Sequence, residues 1–142
     1  MGCFEISKIV KFLEKNKCKT IFSTLGIRVE SYEPDNVIVA IDVDERHLQH
    51  AGFVHGGVFV TLAESAASIA ATCTVGLFDH SIVGMEINAN HLRSVTGGVV
   101  RAKAKLVYHG KLIMVYSIEV TNNNDKLVCI SRCTIAIKKL NK

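Results

Sequence analysis

An acidic residue in the middle of an apolar helical pattern is the strongest chemical signal in this sequence. Glu64 lies within residues 57–75, where Leu62, Ala66, Ile69 and Cys73 form one apolar stripe. The opposite face holds Ala63, Ala67, Ala70 and Ala71 together with Glu64 and Ser68. A carboxylate is almost never buried without a partner. Glu64 could pair with a lysine or cap a loop; alternatively it is held in a cleft as nucleophile or general base. About two turns earlier, at the start of the same helix, stands His55-Gly56-Gly57. Paired glycines let backbone approach a ligand closely, and free N–H groups at a helix N-terminus attract an oxyanion. The same pair also serves as an ordinary loop-to-helix junction. A donor site and a carboxylate two turns apart are what hydrolysis of an activated acyl group needs, and Ser68 follows one turn further on the same face.

Other candidate centres are weaker. His47, His50 and His55 with Cys73 invite a zinc reading, but the H-x2-H-x4-H spacing fits no familiar zinc pattern. No metal is expected, and Cys73 in its apolar stripe reads as core rather than nucleophile. The sequence has no G-x-S-x-G, no P-loop and no G-x-G-x-x-G, so serine hydrolases, P-loop NTPases and Rossmann enzymes lack motif support. His91 and Arg93 at a strand end and Lys111 in a turn are solvated charges or, taken together, a phosphate-binding set.

These groups need elements to hold them. Residues 5–16 place Ile6, Ile9, Val10 and Leu13 on one face with Lys8, Lys11 and Lys15 between them, a short amphipathic helix. Residues 26–33 and 37–43 are rich in β-branched side chains and flank Glu33-Pro34-Asp35-Asn36, which predicts a hairpin. A polar loop over 44–49 leads to the glycine pair. The helix over 57–75 is apolar or small nearly all round and so must be buried nearly all round. Strands follow over 82–89, 99–108, 112–120 and 127–137, the last three forming an antiparallel meander with short turns. In the second of them Ala102, Ala104, Leu106 and Tyr108 alternate with Arg101, Lys103 and Lys105, one face apolar and one solvated.

Composition bounds the classes that remain. A chain of 142 residues is one domain, spanning residues 1–142, with 1–19 as helix and lead-in. Its 49% hydrophobic content and single proline exclude disorder. The net charge of +4 resides in the termini: residues 20–137 hold nine basic and eleven acidic side chains, a poor match for nucleic acid. Five cysteines without a C-x-x-C pair, after a start (residues 1–11) with no uninterrupted apolar core, favour reduced thiols in the cytoplasm. Residues 58–77 are membrane-like in hydropathy, yet Glu64 mid-span would cost on the order of 3 kcal/mol in a bilayer, so a buried helix is expected and no membrane partner.

Three segments together resemble a known family. They are Gln49-His50-Ala51-Gly52-Phe53-Val54-His55-Gly56-Gly57, Leu62-Ala63-Glu64, and Gly84-Met85-Glu86-Ile87-Asn88-Ala89-Asn90-His91-Leu92-Arg93. Over roughly residues 20–138 the chain resembles the hotdog-fold acyl-CoA thioesterases of the PaaI-like group. Within it, the likeness is to the aryl-CoA branch of 1,4-dihydroxy-2-naphthoyl-CoA hydrolases, enterobactin proofreading thioesterases and Arthrobacter-type 4-hydroxybenzoyl-CoA thioesterases. The resemblance implies an α+β fold in which an antiparallel sheet wraps a long helix. It implies Glu64 as nucleophile or general base, and Gly56 as the residue whose N–H polarises the thioester carbonyl. Gln49 would hold the substrate or attacking water, His55 would lie beside the thioester, and Ser68 would offer a hydroxyl near the reacting group. Gly57, Gly84, His91, Leu92, Arg93, Ser94, His109, Gly110 and Lys111 would contact CoA or the acyl group. No cofactor is implied beyond the CoA of the substrate.

Where the aryl-CoA branch commonly has a proline-aromatic pair after the glutamine, this chain has His50-Ala51. Those residues flank the acyl pocket, so a medium-chain fatty acyl group stands beside the hydroxylated aromatic one. The pocket is expected to be lined by Ala67, Ala71 and Ser68. One sheet covers one side of the helix, so a homodimer or a dimer of dimers is expected to bury the face bearing Glu64 and the alanines. A hotdog hydratase or dehydratase and a non-catalytic acyl-CoA binder are the rival classes.

Overall fold

The computed structural model describes residues 3–15, 20–33, 36–76 and 79–140. Two helices open the chain, α1 (Cys3–Lys15) and the single turn α2 (Ile21–Thr24). Strands β1 (Arg28–Glu33) and β2 (Asn36–Asp42) then form the expected hairpin, closing at Glu33 opposite Asn36. Pro34 and Asp35 of the expected turn, residues 16–19 of the lead-in and Cys18 lie outside the described residues. A 3-10 turn (Glu45–His47) precedes α3 (Gly56–Val75), and β3 (His80–His91), β4 (Val99–His109), β5 (Ile113–Thr121) and β6 (Leu127–Lys139) follow. All neighbours in the sheet, ordered β1-β2-β4-β5-β6-β3, are antiparallel. The long helix packs on every one of the six strands. This is the hotdog arrangement.

Small side chains set the closeness of helix and sheet. Ala63, Ala66, Ala67, Ala70 and Ala71 of α3 are fully buried, as are Ala102 and Ala104 of β4 beneath it. Leu62, Tyr116, Ile118 and Ile135 fill the remaining volume. By length and composition α3 could cross a membrane, but ten of its twenty side chains are buried. The distribution of that burial corrects the sequence reading: the alanines face the chain's own sheet, and the half-open stripe is Thr61, Glu64, Ser65, Ser68 and Thr72. A helix in the cradle of a six-stranded sheet is covered over more than half its circumference, so only the polar stripe is left.

A second correction falls on β4. Alternation places Tyr108 on the inner face with Ala104 and Leu106, yet Tyr108 is 55% exposed. The register slips between Leu106 and Tyr108, which pair with Tyr116 and Val115. The extra residue turns the strand end over, so Tyr108 leaves the core and folds across Gly110, where a Cβ would come within 2.8 Å of its hydroxyl. A similar bulge lies in β3 between Gly84 and Glu86.

Candidate active site

The segment between β2 and α3 is pinned by a buried histidine. Asp44 accepts the Arg46 N–H at 3.0 Å and its guanidinium at 2.6 Å; those hydrogen bonds hold the Asp44 carboxyl at about 2. Arg46 also donates to the Thr24 carbonyl at 2.7 Å. His47 is 1% exposed. Its Nδ1 accepts the Asp44 N–H at 2.9 Å, so Nε2 carries the proton and donates to the Leu25 carbonyl at 2.9 Å. The His47 carbonyl in turn accepts the His55 N–H at 2.8 Å, and Val54 donates to Val95 at 2.7 Å. Between them Gln49 donates to the Phe53 carbonyl at 2.8 Å across a turn that needs Gly52 at φ 82°.

This loop delivers His55 as the N-cap of α3. Its Nδ1 accepts the Gly57 N–H at 2.9 Å, and its carbonyl accepts the Val58 N–H at 2.9 Å. The Gly56 N–H is left at the positive end of the helix dipole with no acceptor among the described residues. Gly56 is also required for space, because a Cβ there would stand 2.8 Å from His91 Nε2. The His91 ring lies against Phe59 with centroids 5.8 Å apart. A cleft of about 390 Å³ opens here and collects Gln49, Gly56, His91, Leu92, Arg93 and Ser94. Gln49 Oε1 accepts the Ala51 N–H, leaving its amide nitrogen free to donate, while Arg93 is tied to the Leu127 carbonyl.

Glu64 occupies a different cavity, of about 480 Å³, with Ser68, Thr61, Ser65 and Thr72 beside it. Gly84 faces inward from β3, paired with Ile135, and a Cβ on it would overlap Glu64 Oε1. The absent side chain is what lets the carboxylate lie against the strand. The apolar wall comes from Ile69 and Ile82 and, unexpectedly, from Leu13, Ile21 and Phe22 of the N-terminal helices. Ala67 and Ala71, expected to line this pocket, are fully buried beneath it; of the expected trio only Ser68 reaches it. Glu64 and Gly56 are eight residues apart on one helix, about 12 Å along its axis. Within one chain they do not share a cavity.

His109, Gly110 and Lys111 line a third cleft with His80 and Val75, beyond the opposite end of α3. The residues of the zinc reading do not converge: both ring nitrogens of His47 are engaged, and among the described residues no His, Cys, Asp or Glu cluster could hold a metal. Burial pushes the Cys73 thiol up to about 11. Cys133 rises to about 12, through burial first and the charges of Glu64 and Glu86 second.

The family model described as the thioesterase superfamily matches residues 51–129, more than half of the chain. The chain belongs to the thioesterase superfamily. This thioesterase is 46% identical over 119 residues to the 1,4-dihydroxy-2-naphthoyl-CoA hydrolase of Listeria monocytogenes, covering 84% of this chain and 96% of the relative. Among solved structures it is similar to a mutant of thioesterase PA1618 from Pseudomonas aeruginosa, with TM-score 0.86, 35% identity, and 92% and 94% of the two chains covered. A mutant of the phenylacetic acid degradation protein PaaI from Thermus thermophilus superposes with TM-score 0.74 at 27% identity, covering 82% of this chain and 96% of that one.

Sequence reasoning on the thioesterase did not anticipate His47 as the anchor of the loop, nor Leu13 and Phe22 in the Glu64 cavity. For His47 the available signal was a histidine flanked by Asp44 and Arg46, which resembles any polar turn. For Leu13 there was only a helix needing something to lie on.

Proposed function

We propose that this thioesterase hydrolyses acyl-CoA thioesters at a site shared by two copies of the chain. The observation that carries the reading is the Glu64 carboxylate, held in an apolar cavity by the gap at Gly84, together with a Gly56 N–H that has no acceptor among the described residues at the start of the same helix. A thioester carbon must lie within about 3–3.5 Å of its attacking atom while its oxygen meets the oxyanion donor. The separation of Glu64 and Gly56 in one chain is too long for that. Two α3 helices packed antiparallel about Val60 would set Glu64 of one copy opposite the partner's Gly56 and so close the gap. The half-open stripe from Thr61 to Thr72 and the sheet edge at β3, where Val83 is 57% and Met85 63% exposed, are surfaces suited to such a pairing, and two dimers could associate further.

In this reading Glu64 either attacks the carbonyl itself or takes a proton from the attacking water. Attack forms the new C–O bond and puts the charge on the carbonyl oxygen, where the Gly56 N–H meets it. Collapse then breaks the C–S bond, and the departing CoA thiolate takes up the proton that Glu64 removed from water. Where Glu64 itself attacked, the thiolate takes a proton from solvent, after which water cleaves the Glu64 acyl anhydride to release the acid. Gln49 positions the substrate or water through its free amide nitrogen, and Ser68 lies near the acyl carbonyl. His55 acts by capping the helix, which commits the Gly57 N–H and leaves that of Gly56 for the substrate. His91, Leu92, Arg93 and Ser94 border the thioester, and the His109, Gly110 and Lys111 cleft takes phosphate groups of CoA. No metal or redox cofactor has a role. The chain works as one domain in the cytoplasm, where the free thiols of Cys73, Cys129 and Cys133 suit a reducing compartment.

For the acyl group we favour a hydroxylated aromatic ring. Ser65 and Ser68 offer side-chain hydroxyls without a protein partner among the described residues, and these could meet ring hydroxyls. A medium-chain fatty acyl group is the second reading, favoured by the apolar wall of Ile69 and Ile82. The experiment is thiol release from benzoyl-, hydroxybenzoyl-, naphthoyl- and C4–C16 acyl-CoA by the wild type and Glu64→Gln. The variant is expected to lose about 10²–10⁴-fold in kcat with its fold intact. Full activity in Glu64→Gln would move the site elsewhere, and a tenfold preference for aliphatic chains over every aromatic thioester would overturn the aromatic assignment.

A further inference from the structure

We propose that Leu13 of α1 and Phe22 of α2 form the partition that sets how large an acyl group this thioesterase accepts. The inference rests on the reading of the Glu64 cavity as the acyl site. That cavity is bounded on one side by the polar stripe of α3 and on another by Leu13, Ile21 and Phe22, which belong to neither the sheet nor the long helix. On the far side of these residues lies a second cavity of about 150 Å³, lined by Glu14, Ile27, Arg28, Val29 and Tyr32. Leu13 and Phe22 line both cavities, and among the described residues no other does. They are therefore the wall between the two. The wall is held from behind: Ile9, one turn before Leu13, is 1% exposed and belongs to the main core. Phe22 is fixed through its carbonyl, which accepts the Ile27 N–H at 2.8 Å.

An acyl group whose thioester carbon sits at Glu64 extends across this cavity until it meets the partition. Trimming Leu13 joins the second cavity to the first and lengthens the slot; enlarging it shortens the slot. In an apolar slot one methylene of fit is worth about 10–200-fold in kcat/KM, so a change of several atoms in the wall should be read easily as a change in preference.

The test measures the ratio of kcat/KM for dodecanoyl-CoA to that for benzoyl-CoA in the wild type, Leu13→Ala and Leu13→Trp. The ratio is expected to rise at least tenfold in Leu13→Ala and to fall at least tenfold in Leu13→Trp. Phe22→Ala carries the same expectation as Leu13→Ala and keeps the test open if either Leu13 variant fails to fold by circular dichroism. Ratios within threefold of wild type in folded, active variants would overturn the partition while leaving the Glu64 site standing. A folded wild type that cleaves no acyl-CoA at all would instead overturn the reading of the site, and the partition with it.

Discussion

Replacing Gly84 with alanine should separate catalysis from stability in this enzyme. Gly84 borders the bulge in β3 but has no positive φ to favour glycine, so the backbone accepts alanine there. Alanine in place of a strand glycine is worth roughly 0.5–1 kcal/mol in chain entropy. Against this stands the overlap of the new Cβ with Glu64 Oε1, which is the far end of a flexible side chain and can swing aside. The two effects nearly offset, giving a stability change within about 1 kcal/mol and a Tm shift of at most about 4 °C. Activity should respond differently. Restoring ordinary contact moves the carboxylate by roughly 1 Å, a misplacement that costs about 10²-fold in rate. Thiol release measured beside thermal unfolding should therefore show kcat down about 100-fold with Tm nearly unchanged. A variant with wild-type kcat would refute the placement of the reacting carboxylate against β3.

The loop anchor and the buried thiols lead to further predictions. His47→Ala removes a buried imidazole and, with it, the partners of the part-buried Leu25 carbonyl and Asp44 N–H, at up to about 1–3 kcal/mol for each group left unpaired. Denaturant unfolding should show a loss of about 2–5 kcal/mol, and unchanged stability would mean the loop is held by other contacts. Burial holds Cys73 at about 11 and Cys133 at about 12, so iodoacetamide at neutral pH should leave both unmodified in the native protein, as read by peptide mass spectrometry. The same shift has a thermodynamic sign. Unfolded thiols ionise near 8.5 while these two keep their protons, so the stability they contribute is present below that pH and is lost as pH rises toward 11–12. Melting at about pH 8 and about pH 10.5 should show the higher Tm at the lower pH, and the reverse order would contradict the assignment.

The fold was legible because its strongest constraint is local. A helix that is apolar or small nearly all round needs a sheet around it, and the turns at Asn36, Gly110 and Asn122 mark where that sheet reverses. Of the candidate site, Glu64 and Gly56 stand out in the sequence by type and Gly84 only through the family resemblance, and the structure gives each of the two glycines a steric reason. Other features were hidden. The bulge that turns Tyr108 outward leaves no mark in an alternating pattern. The burial of Ala67 and Ala71 depends on how far a six-stranded sheet curls round the helix, a property of the assembled sheet rather than of any segment. The wall from Leu13 and Phe22 was hidden for the same reason, because an amphipathic pattern says that a face is covered but not by what.

The central claim is that Glu64 of one copy works with the Gln49–Gly56 loop of another, and subunit complementation tests it most directly. Glu64→Gln and Gln49→Ala are each prepared as pure, poorly active proteins, then mixed, dissociated and reassociated at equal concentration. In a shared site each mixed dimer carries one site with both defects and one with neither. Random pairing makes about half the dimers mixed, so thiol release should recover to about a quarter of the wild-type rate. A rate no higher than the mean of the two pure variants, with mixed dimers demonstrated by native mass spectrometry, would contradict it.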